Sequence, residues 1–262
     1  MAEVLPAAPP MMKPDTVPLL KDSMILTDTL PTGPAPMPIA TGDVDALRAK
    51  VNARTWFHQI DLGHGIVTPG CDRSAAKLPY LKFPERLDGW DVLDIGAYDG
   101  FFSFECERRG AARVKAADKY CWTAPPGGMG DGMGFSIAHA ALNSKVERQY
   151  IWVEELAPET VGTFDLVLFL GVLYHAPDMM RYLANVRKVC RNMAIVETHC
   201  DALDNPRPAA IFYPGAVQNN DASNWWGPNP ACVIAMCKEV GFSRVEQVSM
   251  YDGVRGVFHA WV

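Results

Sequence analysis

From residue 91 onward the chain alternates short apolar runs with amphipathic stretches, and that alternation predicts a doubly wound parallel sheet with helices on its faces. Strands are expected over 91–95, 113–118, 147–153, 164–170 and 193–198, with helices over 101–109, 135–143 and 178–191 between them. A last helix over 230–240 stops at Gly241. Two strand-like runs, RVEQVSM and VRGVFHAWV, follow around the turn signal Asp252-Gly253, so the sheet is expected to close with a C-terminal β-hairpin. Upstream the pattern changes twice. In DVDALRAKVNARTWF, Val44, Leu47 and Val51 share one helical face and Asp43 stands as N-cap, which predicts a helix over 41–57. Before it no hydrophobic period is found, and nine of the 21 prolines fall in the first 40 residues. Such a stretch reads as an extended arm, either a solvated tail or a strap over a site or over the partner of a homodimer. The expected organisation is therefore an arm over 1–40, an N-terminal helical extension over 41–90 and a sheet domain over 91–262.

Composition narrows the partners. A chain of 262 residues, 49% hydrophobic, fits one large α/β domain with an appendage and excludes a disordered or fibrous protein. The longest near-continuous apolar run, 166–174, falls far short of the roughly 20 residues that span a bilayer. No membrane span is expected, and the acidic, proline-bearing start MAEVLPAAPP lacks the features of a secretory signal, so a cytoplasmic location is expected. Seven cysteines without a Cys-x-x-Cys pair support neither a disulfide framework nor a zinc knuckle. A net charge of -6, with no Lys/Arg cluster longer than a pair, lacks the electrostatic footprint of a protein that grips a nucleic-acid backbone.

The chemistry concentrates in VLDIGAYDGFFSFECERRGAARVKAADKY, residues 92–120. A strand carrying Asp94 runs into a turn with Gly96 and Gly100, then a helix, then a second strand ending in Asp118. In open α/β sheets ligands bind beyond the carboxyl ends of the strands, where glycines let the backbone come close. Asp118, 22 residues after Gly96, is placed to accept hydrogen bonds from ribose hydroxyls, so the ligand should contain a nucleoside. The turn Gly96-Ala97-Tyr98-Asp99-Gly100 departs from the dinucleotide pattern, and Asp99 would set a negative charge against a pyrophosphate. NAD is thereby disfavoured, and no phosphate-binding loop is present to support ATP.

This block resembles the class I S-adenosylmethionine-dependent methyltransferases, whose first motif is acid-x-Gly-x-Gly-x-Gly; here Asp94, Gly96 and Gly100 match and Tyr98 replaces the middle glycine. The resemblance implies a Rossmann-like, seven-stranded methyltransferase sheet and S-adenosyl-L-methionine as cofactor. It also implies cofactor contacts from Arg73, Asp94, Gly96, Tyr98, Gly100, Asp118, Lys119, Glu154 and Leu170. Beyond the shared fold, FHQIDLGHGIVTPGCDRSAAKLPYLKFPERLDGW and FYPGAVQNNDASNWWGPN are similar to the group related to the enzymes that modify 5-hydroxyuridine at the tRNA wobble position, over about 57–262. Members of that group also act in polysaccharide and natural-product pathways. The resemblance therefore implies methyl transfer and leaves the acceptor open. The expected acceptor is a small molecule, methylated on oxygen in natural-product or saccharide biosynthesis. The alternatives are a tRNA wobble uridine, carbon methylation of a small alkene, and a non-catalytic cofactor-binding protein.

Methyl transfer is an in-line displacement that needs alignment, exclusion of water and, for a hydroxyl acceptor, a base. No metal is obligatory. His175, after the fourth strand in LYHAPD, is the preferred base, against a structural role in capping the next helix or packing on the cofactor. Glu197 and His199, with Asp201, share a face after the fifth strand, as alternative bases, as ligands of a divalent ion, or in part as a solvated loop. For substrate, Trp225 and Trp226 offer aromatic walls and Asn220 and Asn224 adaptable hydrogen bonds, although one Trp of the pair serves equally to staple its loop. His58 stands in the approach region. Arg73 is an isolated cation for a cofactor carboxylate, an anionic acceptor or a plain salt bridge. The glycine-rich stretch over 124–134 reads either as a loop folding over the ligand or as an idle surface loop.

Overall fold

The computed structural model describes residues 41–123 and 130–262; the Pro-rich arm over 1–40 and residues 124–129 of the glycine-rich loop lie outside the described residues. Helix α1 (Thr41–Asn52) ends at Asn52 rather than at 57. The cause is tertiary. The N–H groups of Phe57 and His58 donate to the Asp99 carboxylate at 2.8 and 3.1 Å, where a continuing helix would have used carbonyls four residues back. Trp56 is buried below, its indole N–H donating to the Val51 carbonyl at 3.0 Å. Helix α2 (Ser74–Leu81) was not expected, because Pro79 interrupts a pattern only eight residues long; Leu78 and Leu81 make its buried face.

The expected strands are all present: β1 (Asp91–Ile95), β2 (Arg113–Asp118), β3 (Glu147–Tyr150), β4 (Phe164–Leu170) and β5 (Cys190–His199). Between them lie α3 (Phe101–Arg108), α4 (Met133–Ala141), the short α5 (Pro158–Val161) and α6 (Met179–Val189). Strand β3 stops before the predicted residue 153 because Val153–Glu155 form a tight 3-10 turn, closed when the Glu155 carboxylate accepts the Trp152 N–H at 3.0 Å. Asp178 caps α6 by accepting the Arg181 N–H at 3.0 Å, and α7 (Pro230–Glu239) is capped likewise by Asn229, from the Cys232 N–H at 2.8 Å.

The seven-stranded sheet has the order β3-β2-β1-β4-β5-β9-β8, where β8 (Arg244–Tyr251) and β9 (Arg255–Trp261) are the expected hairpin. Asp252 and Gly253 both have positive φ, 50° and 71°, as a tight primed turn requires. Strands β1 to β5 are mutually parallel, and β9 runs against the others. The Rossmann-like architecture is thus present with its hairpin. The central strands are apolar on both faces, Leu166, Val167, Leu168 and Phe169 being fully buried, as a parallel sheet covered by helices demands. A second, two-stranded sheet of β6 (Ala210–Phe212) and β7 (Trp226–Pro228) carries the 213–225 loop toward the ends of the parallel strands.

Candidate active site

The strand ends open into a cavity of about 1020 Å³. Asp94, Gly96, Tyr98, Asp118, Lys119 and Leu170 line one end of it together with His58, whose ring lies 6.1 Å from that of Tyr98, and His175, Glu197, His199, Asn224 and Trp225 line the other. Of the residues expected at the site, Arg73, Gly100, Glu154, Asn220 and Trp226 do not line it.

The turn after β1 is built around Asp118. Its carboxylate accepts the Tyr98 N–H at 3.1 Å and the Cys121 N–H at 2.9 Å, and burial raises its pKa. Tyr98 stands where the motif has its middle glycine and takes the left-handed conformation itself, at φ 52°. Its carbonyl accepts the Trp122 indole N–H at 2.7 Å and its ring stacks on Phe57 at 4.8 Å, and these contacts hold the strained residue. Gly96 is required because a Cβ would sit 2.6 Å from Val172. Gly100 supports the turn from beneath, packed on Phe104 and Phe135. Asp94 is 2% exposed, accepts the Ser103 hydroxyl at 2.6 Å and is pushed up to about 7, chiefly by burial and further by Asp118.

Asp99 corrects one step of the sequence argument. It does not confront a phosphate site; buried at 4% exposure, it pins the backbone of Phe57 and His58, and burial raises it to about 6. The case against a dinucleotide therefore rests on the glycine pattern alone. Lys119 lies 5.4 Å over the Trp152 ring and pairs with Glu155 at 3.8 Å. Glu154 is turned aside, accepting the Tyr182 hydroxyl at 2.7 Å, and Trp152 and Val153 line the cavity in its place. Arg73 is exposed at the start of α2; the α2 cation that lines the cavity is Lys77, one helical turn on, paired with Asp72.

Imidazole and aromatic groups stand at both ends of the cavity. His58 is 4% exposed, its Nδ1 is buried without a hydrogen-bond partner among the described residues, and burial lowers its pKa to about 4, so it is neutral at pH 7. His175 directs Nδ1 at the Ser223 carbonyl, 2.9 Å away, and packs on Tyr174 with ring centroids 4.1 Å apart. Burial lowers its pKa as well. Glu197 is not free to act as a base: Arg255 binds both its oxygens, at 2.5 and 2.6 Å, and the Tyr251 hydroxyl adds a third bond at 2.6 Å. The Arg255 guanidinium lies 4.8 Å over the Tyr174 ring. His199 Nε2 contacts the Tyr213 hydroxyl at 3.1 Å and the Gln218 amide at 3.3 Å, and Tyr213 donates to Asp201 at 2.6 Å. Of the three residues weighed as metal ligands, His199 and Asp201 thus share Tyr213 while Glu197 is bound by Arg255 and Tyr251, and among the described residues no group of three His, Cys, Asp or Glu side chains is arranged to hold a metal ion. Trp225 lines the cavity at 39% exposure, whereas Trp226 turns onto Phe212, with centroids 5.2 Å apart. Asn224 is buried on the cavity wall, donating to the Gln218 carbonyl at 2.9 Å, and Asn220 is exposed outside it.

Sequence reasoning missed Arg255, Tyr174 and Tyr251. Arg255 carried a signal, a lone cation inside an apolar strand directly after a hairpin turn. The tyrosines carried none apart from the fold.

No family model matches the chain. It is 31% identical over 124 residues to a ubiquinone biosynthesis O-methyltransferase of Neisseria meningitidis, a match covering 47% of each chain. It is 22% identical over 178 residues to a tRNA U34 carboxymethyltransferase of Campylobacter jejuni, covering 66% of this chain and 57% of the relative. The chain thus spans about half the length of the curated relatives it matches. In fold it is similar to the N-terminal domain of EvdMO1, crystallised in the presence of SAH and D-fucose, with a TM-score of 0.62 at 19% identity over 84% of this chain and 97% of that one. The chain is thus similar in sequence, over part of its length, and in fold to class I S-adenosylmethionine-dependent methyltransferases.

Proposed function

We propose that the protein transfers a methyl group from S-adenosylmethionine to a hydroxyl of a small-molecule acceptor, in natural-product or saccharide biosynthesis. The observation that carries this reading is a single cavity joining the nucleoside end of the sheet, at Asp94 and Asp118, to the His175 imidazole. The cofactor fits the residues present. Two buried carboxylates whose charge is disfavoured by burial call for a ligand that brings hydroxyl donors and positive charge, and a ribose with a sulfonium and an ammonium brings both. Asp118 would receive the ribose, Trp152 and Val153 the flat base, and Asp94 with Gly96 the charged end. When bound, S-adenosylmethionine supplies an electrophilic methyl group.

The chain's own part is alignment and proton removal. A carbonyl oxygen only accepts, so His175 Nδ1 carries the hydrogen it gives to Ser223, and Nε2 keeps its lone pair. A neutral imidazole in that tautomer takes the acceptor's hydroxyl proton as the oxygen–methyl bond forms. Glu197 holds Arg255 and Tyr251 in place beside it, and Trp225 forms a wall for the acceptor. The named activity of the ubiquinone O-methyltransferase relative and the D-fucose with EvdMO1 favour a hydroxyl on a small molecule. A second reading, methylation at the tRNA wobble uridine, is favoured by the longer match to the carboxymethyltransferase.

Calorimetry with S-adenosylhomocysteine tests the root of the proposal. The protein is expected to bind it, and Asp118→Ala to weaken binding by about 100-fold, the loss of two hydrogen bonds to a charged group. An unbound ligand overturns both readings. His175→Ala should keep that affinity and lower turnover of a hydroxylated acceptor by about 100-fold, and a tRNA band shift at moderate salt would select the second reading.

A further inference from the structure

His175 is backed by more than a carbonyl. The Ser223 hydroxyl lies 3.1 Å from His175 Nδ1 and donates to Asp221 Oδ1 at 2.6 Å, and the Ser223 N–H donates to the same Asp221 oxygen at 2.8 Å. The hydroxyl has only one hydrogen, and it goes to Asp221; toward the imidazole its oxygen can only accept. The one Nδ1 hydrogen is therefore shared between the Ser223 carbonyl at 2.9 Å and the hydroxyl oxygen at 3.1 Å, and from the hydroxyl the bonding runs on to the carboxylate. We propose that Ser223 and Asp221 are positioning residues for His175, a relay that fixes its tautomer and balances the positive charge it gains with the acceptor's proton.

This inference rests on the methyl-transfer reading. In the step it serves, the acceptor O–H bond breaks and its proton passes to Nε2. The oxygen–methyl bond forms, the sulfur–methyl bond breaks and its electron pair stays on sulfur. The imidazolium then returns the proton to water. The charged and titratable groups around His175 divide by sign. Arg255, on β9, opposes a second positive charge, as burial does; Asp221 and the Ser223 carbonyl favour it. Tyr174 packs on the ring, and His199 stands 6.4 Å beyond Tyr174. Of the groups acting on His175, Asp221 is the carboxylate.

The relay is read directly by a histidine NMR titration of the full chain, with and without S-adenosylhomocysteine. The chain has six histidines, and the His175 signal is the one absent from His175→Gln. Asp221→Asn keeps an oxygen for Ser223 and removes the charge, so the His175 midpoint should fall by about half a unit or more. Ser223→Ala should lower it less, and Ser223→Thr should restore it. An unchanged midpoint in Asp221→Asn, with the fold intact by circular dichroism, overturns the relay. Failure of the parent protein to bind S-adenosylhomocysteine overturns the methyl-transfer reading instead, and the ligand-free titration still decides the relay.

Discussion

Asp94→Asn is expected to stabilise the ligand-free protein at alkaline pH and to weaken ligand binding at the same time. The carboxyl is 2% exposed, receives one hydrogen bond from Ser103 at 2.6 Å and is raised from 3.8 to about 7, chiefly by burial. Because its folded pKa lies above the unfolded one, the stability it contributes is complete below about pH 4 and is lost as pH rises through about 7. Each unit of that difference is worth about 1.4 kcal/mol, which puts an upper bound of about 4 kcal/mol on the cost of the buried charge. With half of it recovered by relaxation around the carboxylate, about 2 kcal/mol remains. Asparagine keeps the shape and an oxygen for Ser103 and carries no charge. Urea denaturation should therefore place Asp94→Asn above the parent by about 2 kcal/mol near pH 8.5, with the gap falling to about half near pH 5.5 and closing below about pH 4. A variant no more stable than the parent near pH 8.5, at an unchanged denaturant slope, refutes the argument. The exchange of stability for binding is characteristic of functional sites.

Three further outcomes follow from the same geometry. Glu197→Ala strands the Arg255 guanidinium in the interior and should cost about 3–5 kcal/mol in chemical denaturation, with Glu197→Gln costing less. Gly100→Ala must adopt φ 92° and place a Cβ 2.7 Å from Phe135, so a loss of about 2–3 kcal/mol is expected, read as a lowered melting temperature. Trp225→Ala removes a partly exposed wall and should raise the KM of the acceptor while leaving the S-adenosylhomocysteine affinity within about twofold of the parent.

The sheet was legible because its signal is local. The five parallel strands, the hairpin turn and the glycine-bearing turn each sit within a few consecutive residues. What was hidden arises from contacts far apart in sequence. The end of α1 is set by Asp99, more than 40 residues on, which draws Phe57 and His58 out of helical bonding. The partners of Glu197 arrive from β8 and β9, 54 and 58 residues later, and no periodicity announces such a pairing. Glu154 was expected among the cofactor contacts from the resemblance, but a 3-10 turn swings it toward Tyr182. Within a pair of like residues, as with Trp225 and Trp226, the sequence offers no basis for choosing which one faces the cavity; the β6–β7 pairing decides it.

The place of β9 between β5 and β8 bears on how the chain is made. During synthesis β8 emerges before the strand that joins it to the sheet, so neither it nor β5 is paired along that edge until Arg255–Trp261 is available. Until then β5 presents ten residues of open backbone, Cys190–His199, a template for pairing with another chain. The strand that covers this edge also delivers Arg255 to Glu197. Nascent chains arrested before residue 255 should therefore lack the completed site and require a chaperone to remain dispersed.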